Sequence, residues 1–249
     1  MHKFLTAFTL ACAATLPIAA PAQAQAASAT ASAKVDPAYF NLYDAIVGSL
    51  DVDVLAAKGA DEIFDGLVRN EPAFADMAKK RPAMRDEFRT AATPYLAIWM
   101  DRSKQARRNQ GAVAFAKYMD PAEAGEIAQF WGSPLGKRFV AAISRNISMD
   151  GAVDAALKTP GKGDFELTGK DQDQTVSAAV AEFLPTLNPA ERSQMEQFAK
   201  TRGFAKLQYI GVALKELPQP GMEEFSTPEE REGFKKAIFA VFARARGGN

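Results

Sequence analysis

The feature that most constrains this chain is a recurring punctuation: a small polar residue, then proline, then a run of helix-forming residues. It occurs at Asp36-Pro37, Asp120-Pro121, Ser133-Pro134, Asn188-Pro189 and Thr227-Pro228. Proline suits the first position of a helix, because its missing N–H would have no partner there and its fixed φ is already helical. The Asp, Asn, Ser or Thr before it accepts a hydrogen bond from an unpaired N–H of the first turn. At three of these sites a glutamate follows at the third helical position: Glu123, Glu191 and Glu230. That completes a capping box, in which the glutamate reaches back to the N–H of the cap residue.

The spacing of apolar residues agrees. Ala124, Ile127, Phe130 and Trp131 share one helical face, and Phe234, Ala237, Ile238, Val241 and Phe242 form a similar stripe. No alternating run is long enough to argue for a strand. The pattern predicts helices over 37–50, 53–69, 72–80, 82–118, 120–131, 134–157, 172–186, 189–201, 203–216 and 227–246. Pro94 should kink or divide the long 82–118 stretch. The expected fold class is all-α, a multi-helix bundle. Pro160, Gly161, Gly163 and Gly169 mark Thr159–Asp173 as a linker, and Pro218, Pro220 and Gly221 mark Leu217–Phe225 as a second. The first linker would divide a helical domain over 36–249 into sub-units 36–158 and 171–249.

Ahead of that domain, Lys3 precedes an apolar stretch from Phe4 to Ala20 and then Ala22-x-Ala24-x-Ala26. This reads as a signal peptide over 1–24, followed by a flexible Ala/Ser/Thr-rich tether over 25–35. Pro17 and Pro21 keep the apolar run shorter than the ~20 residues a spanning helix needs. Cys12 and His2 are the only cysteine and histidine of the chain, and both would leave with the leader. A mature chain without thiol or imidazole is expected to have no disulfide, no Cys or His metal site, no cysteine nucleophile and no Ser-His-Asp triad. Lys plus Arg is 30 and Asp plus Glu is 30, so no bulk charge draws the chain to nucleic acid. The expected location is periplasmic or secreted, with no transmembrane segment in the mature chain, no metal and no cofactor.

Two segments read alike. Met119-Asp120-Pro121-Ala122-Glu123-Ala124-Gly125-Glu126-Ile127-Ala128-Gln129-Phe130 matches Leu187-Asn188-Pro189-Ala190-Glu191-Arg192-Ser193-Gln194-Met195-Glu196-Gln197-Phe198 at five of twelve positions, 68 residues apart. A duplicated helical hairpin explains this; so does convergence of two ordinary capped helices. If the helices are equivalent, Ile127, Phe130, Met195 and Phe198 face the core while Glu126 and Gln194 face water.

The segment Phe130-Trp131-Gly132-Ser133-Pro134-Leu135-Gly136-Lys137-Arg138-Phe139 resembles an uncharacterised family of exported bacterial proteins, the domain of unknown function numbered 2059. The likeness extends over about 61–158, and its specific part is 118–139: an acidic helix start, a Phe-aromatic pair, then Ser-Pro-x-Gly and a basic residue. Trp131 stands where Tyr is usual. The resemblance implies an all-helical exported protein and supplies no catalytic residues. Ser-Pro-x-Gly also has a local explanation, with Ser133 as cap, Pro134 starting a helix and Gly136 permitting close approach of a neighbour.

Candidate sites are few. Arg102, Lys104, Arg107 and Arg108 cluster, with Lys104 sharing a helical face with Arg107 or Arg108; they form a solvated helix face, or they meet an acidic partner or anionic envelope component. Trp99, Phe130, Trp131 and Phe139 would line an apolar cavity or simply fill the core. Asp61, Glu62 and Asp65 read as a solvated helix start, although paired carboxylates are also what a hydrolase of envelope polymers would use. Asp171, Asp173, Thr175 and Glu182 imitate a calcium loop, but Val176 occupies the position that needs glycine. Ser133 and Lys137 are spaced i, i+4, not as Ser-x-x-Lys. The expected function is non-enzymatic binding of a protein or envelope component by a periplasmic helical protein, with no catalytic residues. The alternatives are a carrier or sensor of an apolar small molecule and a carboxylate-based hydrolase.

Overall fold

In the computed structural model of this protein, residues 35–151, 153, 169–217 and 222–247 are described. Helix α1 (Pro37–Tyr43) runs directly into a π-helical turn, Asp44–Gly48. Then come α2 (Val52–Asn70), α3 (Pro72–Lys80), α4 (Met84–Ala106), α5 (Arg108–Phe115), α6 (Pro121–Gly132) and α7 (Pro134–Asn146). After them follow α8 (Gly169–Phe183), a 3-10 turn at Leu184–Thr186, α9 (Pro189–Phe198), α10 (Arg202–Lys215), α11 (Met222–Phe225) and α12 (Pro228–Gly247). The described residues contain no strand, and the fold is an all-α multi-helix bundle. The proposed leader and most of the tether lie outside the described residues.

All five polar-Pro sites start helices. Asp36 accepts from the N–H of Ala38 at 2.9 Å, and Ser133 Oγ from that of Gly136 at 3.1 Å. Asp120 with Glu123, Asn188 with Glu191 and Thr227 with Glu230 each form a reciprocal capping box. Gly136 is needed where the sequence places it: a Cβ there would lie 2.3 Å from the carbonyl oxygen of Phe130 and 2.6 Å from the Trp131 backbone, at the end of the preceding helix.

The expected linkers contain helix, since α8 begins at Gly169 and α11 occupies Met222–Phe225, while 154–168 and 218–221 lie outside the described residues; two further boundaries differ from the sequence expectation. Helix α4 passes through Pro94 without breaking and ends instead at Arg107, the junction with α5. Proline removes one backbone donor, but Phe88, Ala92, Leu96 and Trp99 bury one side of α4 on both sides of Pro94, and this packing holds the helix together. Helix α7 stops at Asn146, and Ile147 turns extended. The next residues are held by side chains of other helices.

The apolar side chains form two cores. The larger is built from α1, α5–α10 and the Ile147–Val153 segment, around Leu42, Phe115, Ile127, Trp131, Phe139, Leu207 and Ile210. The smaller joins α2, α3 and α4 to α12, with Phe64, Phe74, Phe88 and Trp99 at its centre. There Phe242 meets Phe74 at 5.3 Å and Phe88 at 6.4 Å, and Phe234 meets Trp99 at 5.3 Å between ring centroids. Ile63 and Met100 pack against both cores. Each core takes residues from both sides of the 159–173 segment, so the packing runs across the division between 36–158 and 171–249.

The matched segments have matched structures. Ile127, Phe130, Met195 and Phe198 are all buried. The correspondence continues beyond the twelve aligned positions. Ser133 and Thr201 each accept from the N–H three residues on and donate to the carbonyl of Phe130 or Phe198. At the same offset, Phe115 pairs with Phe183 and Phe139 with Leu207, all buried. The repeating unit is therefore three helices, α5–α6–α7 and α8–α9–α10. The two units meet reciprocally. Phe130 stacks on its counterpart Phe198, with centroids 4.0 Å apart and planes 3° from parallel. Arg138 pairs with Glu191, while the counterpart residues Lys206 and Glu123 pair across the same junction at 3.9 Å. These side-chain contacts are reciprocal, although the helix packing among the described residues is not: α6 packs along α10, and α9 does not pack along α7 to a comparable extent.

Glu126 departs from the expectation that it faces water. It is half-buried and accepts a hydrogen bond from Gly203 N at 2.6 Å, in the first turn of α10. Gly203 is required for this approach, since a Cβ would lie 2.7 Å from the carbonyl oxygen of Glu123.

Candidate functional site

Three members of the basic cluster on α4 and α5 are paired with carboxylates of the chain, and the fourth, Arg107, is buried. Arg102 grips Glu230 with two nitrogens, each at 2.7 Å, and also donates to the Phe225 carbonyl. This fork, with the Thr227 N–H behind it, holds the Glu230 carboxyl down at about 2. Arg108 makes a similar fork to Asp44 at 2.5 and 2.7 Å and lies over the Phe40 ring. Lys104 reaches Asp101 at 3.5 Å and the Gly48 carbonyl at 3.3 Å. Arg107 is buried beside Tyr43, and burial lowers its pKa. Burial also pushes the Tyr43 hydroxyl up to about 12, and this hydroxyl donates to the Lys104 carbonyl at 2.9 Å. These residues tie α4 to α12 and to the end of α1. They do not present a free cationic face.

The aromatic candidates fill cores. Trp99 is buried against Phe234 and Tyr95. Trp131 lies between Phe130 and Phe139, and Phe139 meets Phe183 at 4.9 Å. The four rings belong to two different cores: Trp99 to the smaller, the other three to the larger.

The carboxylates have separated. Asp61 accepts from Arg89 Nε at 2.8 Å and from Arg85 at 3.3 Å, while Asp65 accepts from Arg85 at 2.7 Å. Glu62 departs from the reading of a solvated helix start, for it is buried and accepts from Met149 N at 2.6 Å. Burial pushes its pKa up to about 7, against the opposing pull of Lys58 and the Met149 N–H. The residues that imitate a calcium loop are helical, within α8. Asp171 is buried and accepts from Gly151 N at 2.9 Å, and Thr175 Oγ accepts from Ser148 N at 2.8 Å. Ser133 is committed to its cap and Lys137 is exposed. Among the described residues no cluster of His, Cys, Asp and Glu could hold a metal ion, and no helix is long and apolar enough to cross a membrane.

One surface has no mark in the sequence. Val113 on α5 and Val212 on α10 are 49 % and 44 % exposed. Each stands four residues before a partner of an ion pair, Lys117 and Glu216, which are 3.0 Å apart. Beside them Tyr118 stacks on Tyr209 at 5.7 Å, and the Tyr118 hydroxyl bonds to Glu216. Helices α5 and α10 pack together here, giving one surface with two exposed branched side chains and two tyrosines. The sequence hides it, because Gly111-Ala112-Val113-Ala114-Phe115 reads as core throughout, and the tyrosines lie 91 residues apart.

The chain matches no protein-family model, no curated protein and no solved structure.

Proposed function

We propose that this is an exported, non-enzymatic protein that works by binding another protein, through the α5–α10 surface. The observation that carries this reading is the pair Val113 and Val212, exposed on adjacent helices beside the Tyr118–Tyr209 stack. Branched apolar and tyrosine side chains clustered at a surface favour protein contact. The engaged state of the other candidates supports the same choice. The carboxylates Asp61 and Asp65 are bound to arginines, which disfavours a facing acid–base pair. The four aromatic rings are packed against other rings, which disfavours a carrier of apolar molecules. Export rests on the leader-like residues 1–24 and on the resemblance of 118–139.

The test is site-specific photocrosslinking from position 113 in an envelope extract, with position 194 on α9 as control. A discrete adduct from 113 that Val212→Glu abolishes is the expected result. Equal labelling from both positions, or an adduct that Val212→Glu leaves unchanged, overturns the reading. Val212 is exposed, so the charge should leave the helical circular-dichroism signal intact.

A further inference from the structure

Where α7 ends, the segment Ser148–Gly151 is held between α8 and α2, with three of its backbone N–H groups bonded to side chains. Two holds come from α8: Thr175 accepts from Ser148, and Asp171 accepts from Gly151 at 2.9 Å and from the Ser148 hydroxyl at 3.4 Å. The third comes from the opposite side, where Glu62 of α2 accepts from Met149 at 2.6 Å. The Met149 side chain lies over Gly59, one turn earlier on α2, where a Cβ would stand 3.1 Å from its methyl. It is buried in the larger core, whereas α2 contributes chiefly to the smaller one. Glu62 therefore fastens one core to the other.

The charged groups around Glu62 come from each element that meets it. Lys58, on its own helix, is 3.3 Å away. Asp150, on the crossing segment, is paired with Arg69 at 3.2 Å. Asp171 faces the segment from α8. Arg85 and Arg89 of α4 reach α2 at Asp61 and Asp65.

We propose that Glu62 is a proton-controlled latch: in its neutral form it holds α2 to Met149, and its ionisation favours release of that hold while the α8 holds persist. The physical cause is burial. An ionised carboxylate at this depth gains by moving to water, and Lys58, at the adjacent turn and one-third exposed, can accompany it. The sign follows from linkage. The latched carboxyl titrates at about 7 and a released one near 4.5, so the latched state binds more protons between these values. The latch is strongest on the acid side, weakens as pH rises from 4.5, and has lost this contribution above about 7.

Amide hydrogen exchange of the intact protein tests this, read at Ser148, Met149 and Gly151 at pH 5.5 and 8.5 and corrected for intrinsic rates. Protection at Met149 should fall by about tenfold or more, while Ser148 and Gly151 change by less than about twofold. In Glu62→Gln the protection at Met149 should be independent of pH. In Lys58→Met, which removes the cation opposing neutralisation, the midpoint should move to higher pH. Constant protection at Met149 in the wild type, or a parallel fall at all three amides, overturns the proposal without need of a variant. So does a fall that survives in Glu62→Gln.

Discussion

The two three-helix units share caps, a buried aromatic pair and reciprocal contacts, yet their middle helices lie in different surroundings. Helix α6 is packed between α1 and α10, whereas among the described residues no helix packs along α9 to a comparable extent. The sequences differ accordingly. Positions 124 and 128 of α6 are alanines, the first fully buried, and their counterparts on α9 are Arg192 and Glu196, both exposed. Gly111 lies so close beneath the Tyr43 ring of α1 that a Cβ would stand 2.3 Å from it, and its counterpart is Ala179. A common frame of caps and Phe residues specifies the unit, and the outer face of each copy is adapted to whether a further helix covers it.

The sharpest way to break this comparison is to exchange residues between the copies. Ala124→Arg places an unpaired charge at a fully buried position and should cost about 5 kcal/mol or prevent folding. The reverse change, Arg192→Ala, should cost under about 1 kcal/mol, since Arg192 is exposed and the change removes one partly buried hydrogen bond to the Leu187 carbonyl. Urea midpoints of the two variants measure the contrast, and similar losses would refute the role assigned to α1.

Next in size is the shared centre. Phe130→Ala and Phe198→Ala should each cost about 3–5 kcal/mol. Because the rings stack on each other, the double variant should depart from additivity by about 0.5–1.5 kcal/mol. Additive losses would mean that the two copies do not meet at this pair.

Gly111→Ala should destabilise by about 1–3 kcal/mol, because the Tyr43 ring it would strike is itself buried. Ala179→Gly should cost about 1 kcal/mol, through loss of helix propensity and a buried methyl. Thermal melting separates the two, and a neutral Gly111→Ala would show that α1 has room to shift. The smallest effect belongs to the ion pairs across the junction. Reversing Arg138–Glu191, which is partly exposed, should change stability by less than about 1 kcal/mol in a double-mutant cycle.

The parts legible in the sequence are those with local causes. Asp120, Ser133, Asn188 and Thr227 act on N–H groups two or three residues away, so the helix starts follow from short strings. The inward faces of α6, α9 and α12 follow from a 3.6-residue period, which Ile127, Phe130, Met195 and Val241 obey. Long-range partners were not legible. Pro94 looked like a division, but its helix is held by packing against α2 and α12. Glu62 reads as solvated because it stands in a run with Asp61 and Asp65; its acceptor role depends on Met149, 87 residues away. Arg102 and Arg108 looked available because Glu230 and Asp44 are 128 and 64 residues distant. The Val113–Val212 surface has no local mark, since an exposed valine and a buried one look the same in the chain.

The closure of the smaller core by α12 governs when this protein can finish folding. Phe74, Phe88, Tyr95 and Trp99 are separated from their partners Phe234, Val241 and Phe242 by at least 135 residues. While the chain is being made, these rings lack their covering helix until α12, which starts 129 residues after Trp99, has emerged. Contacts so distant in sequence form slowly, because a large loop must close before any packing is gained. A nascent or truncated chain ending before Pro228 would present four uncovered aromatic side chains to its neighbours, the condition under which folding intermediates associate. The larger core carries no such delay at its first repeat, where α6 meets α7 across Ser133. Synthesis in order along the chain therefore leaves α2, α3 and α4 waiting for a helix made long after them.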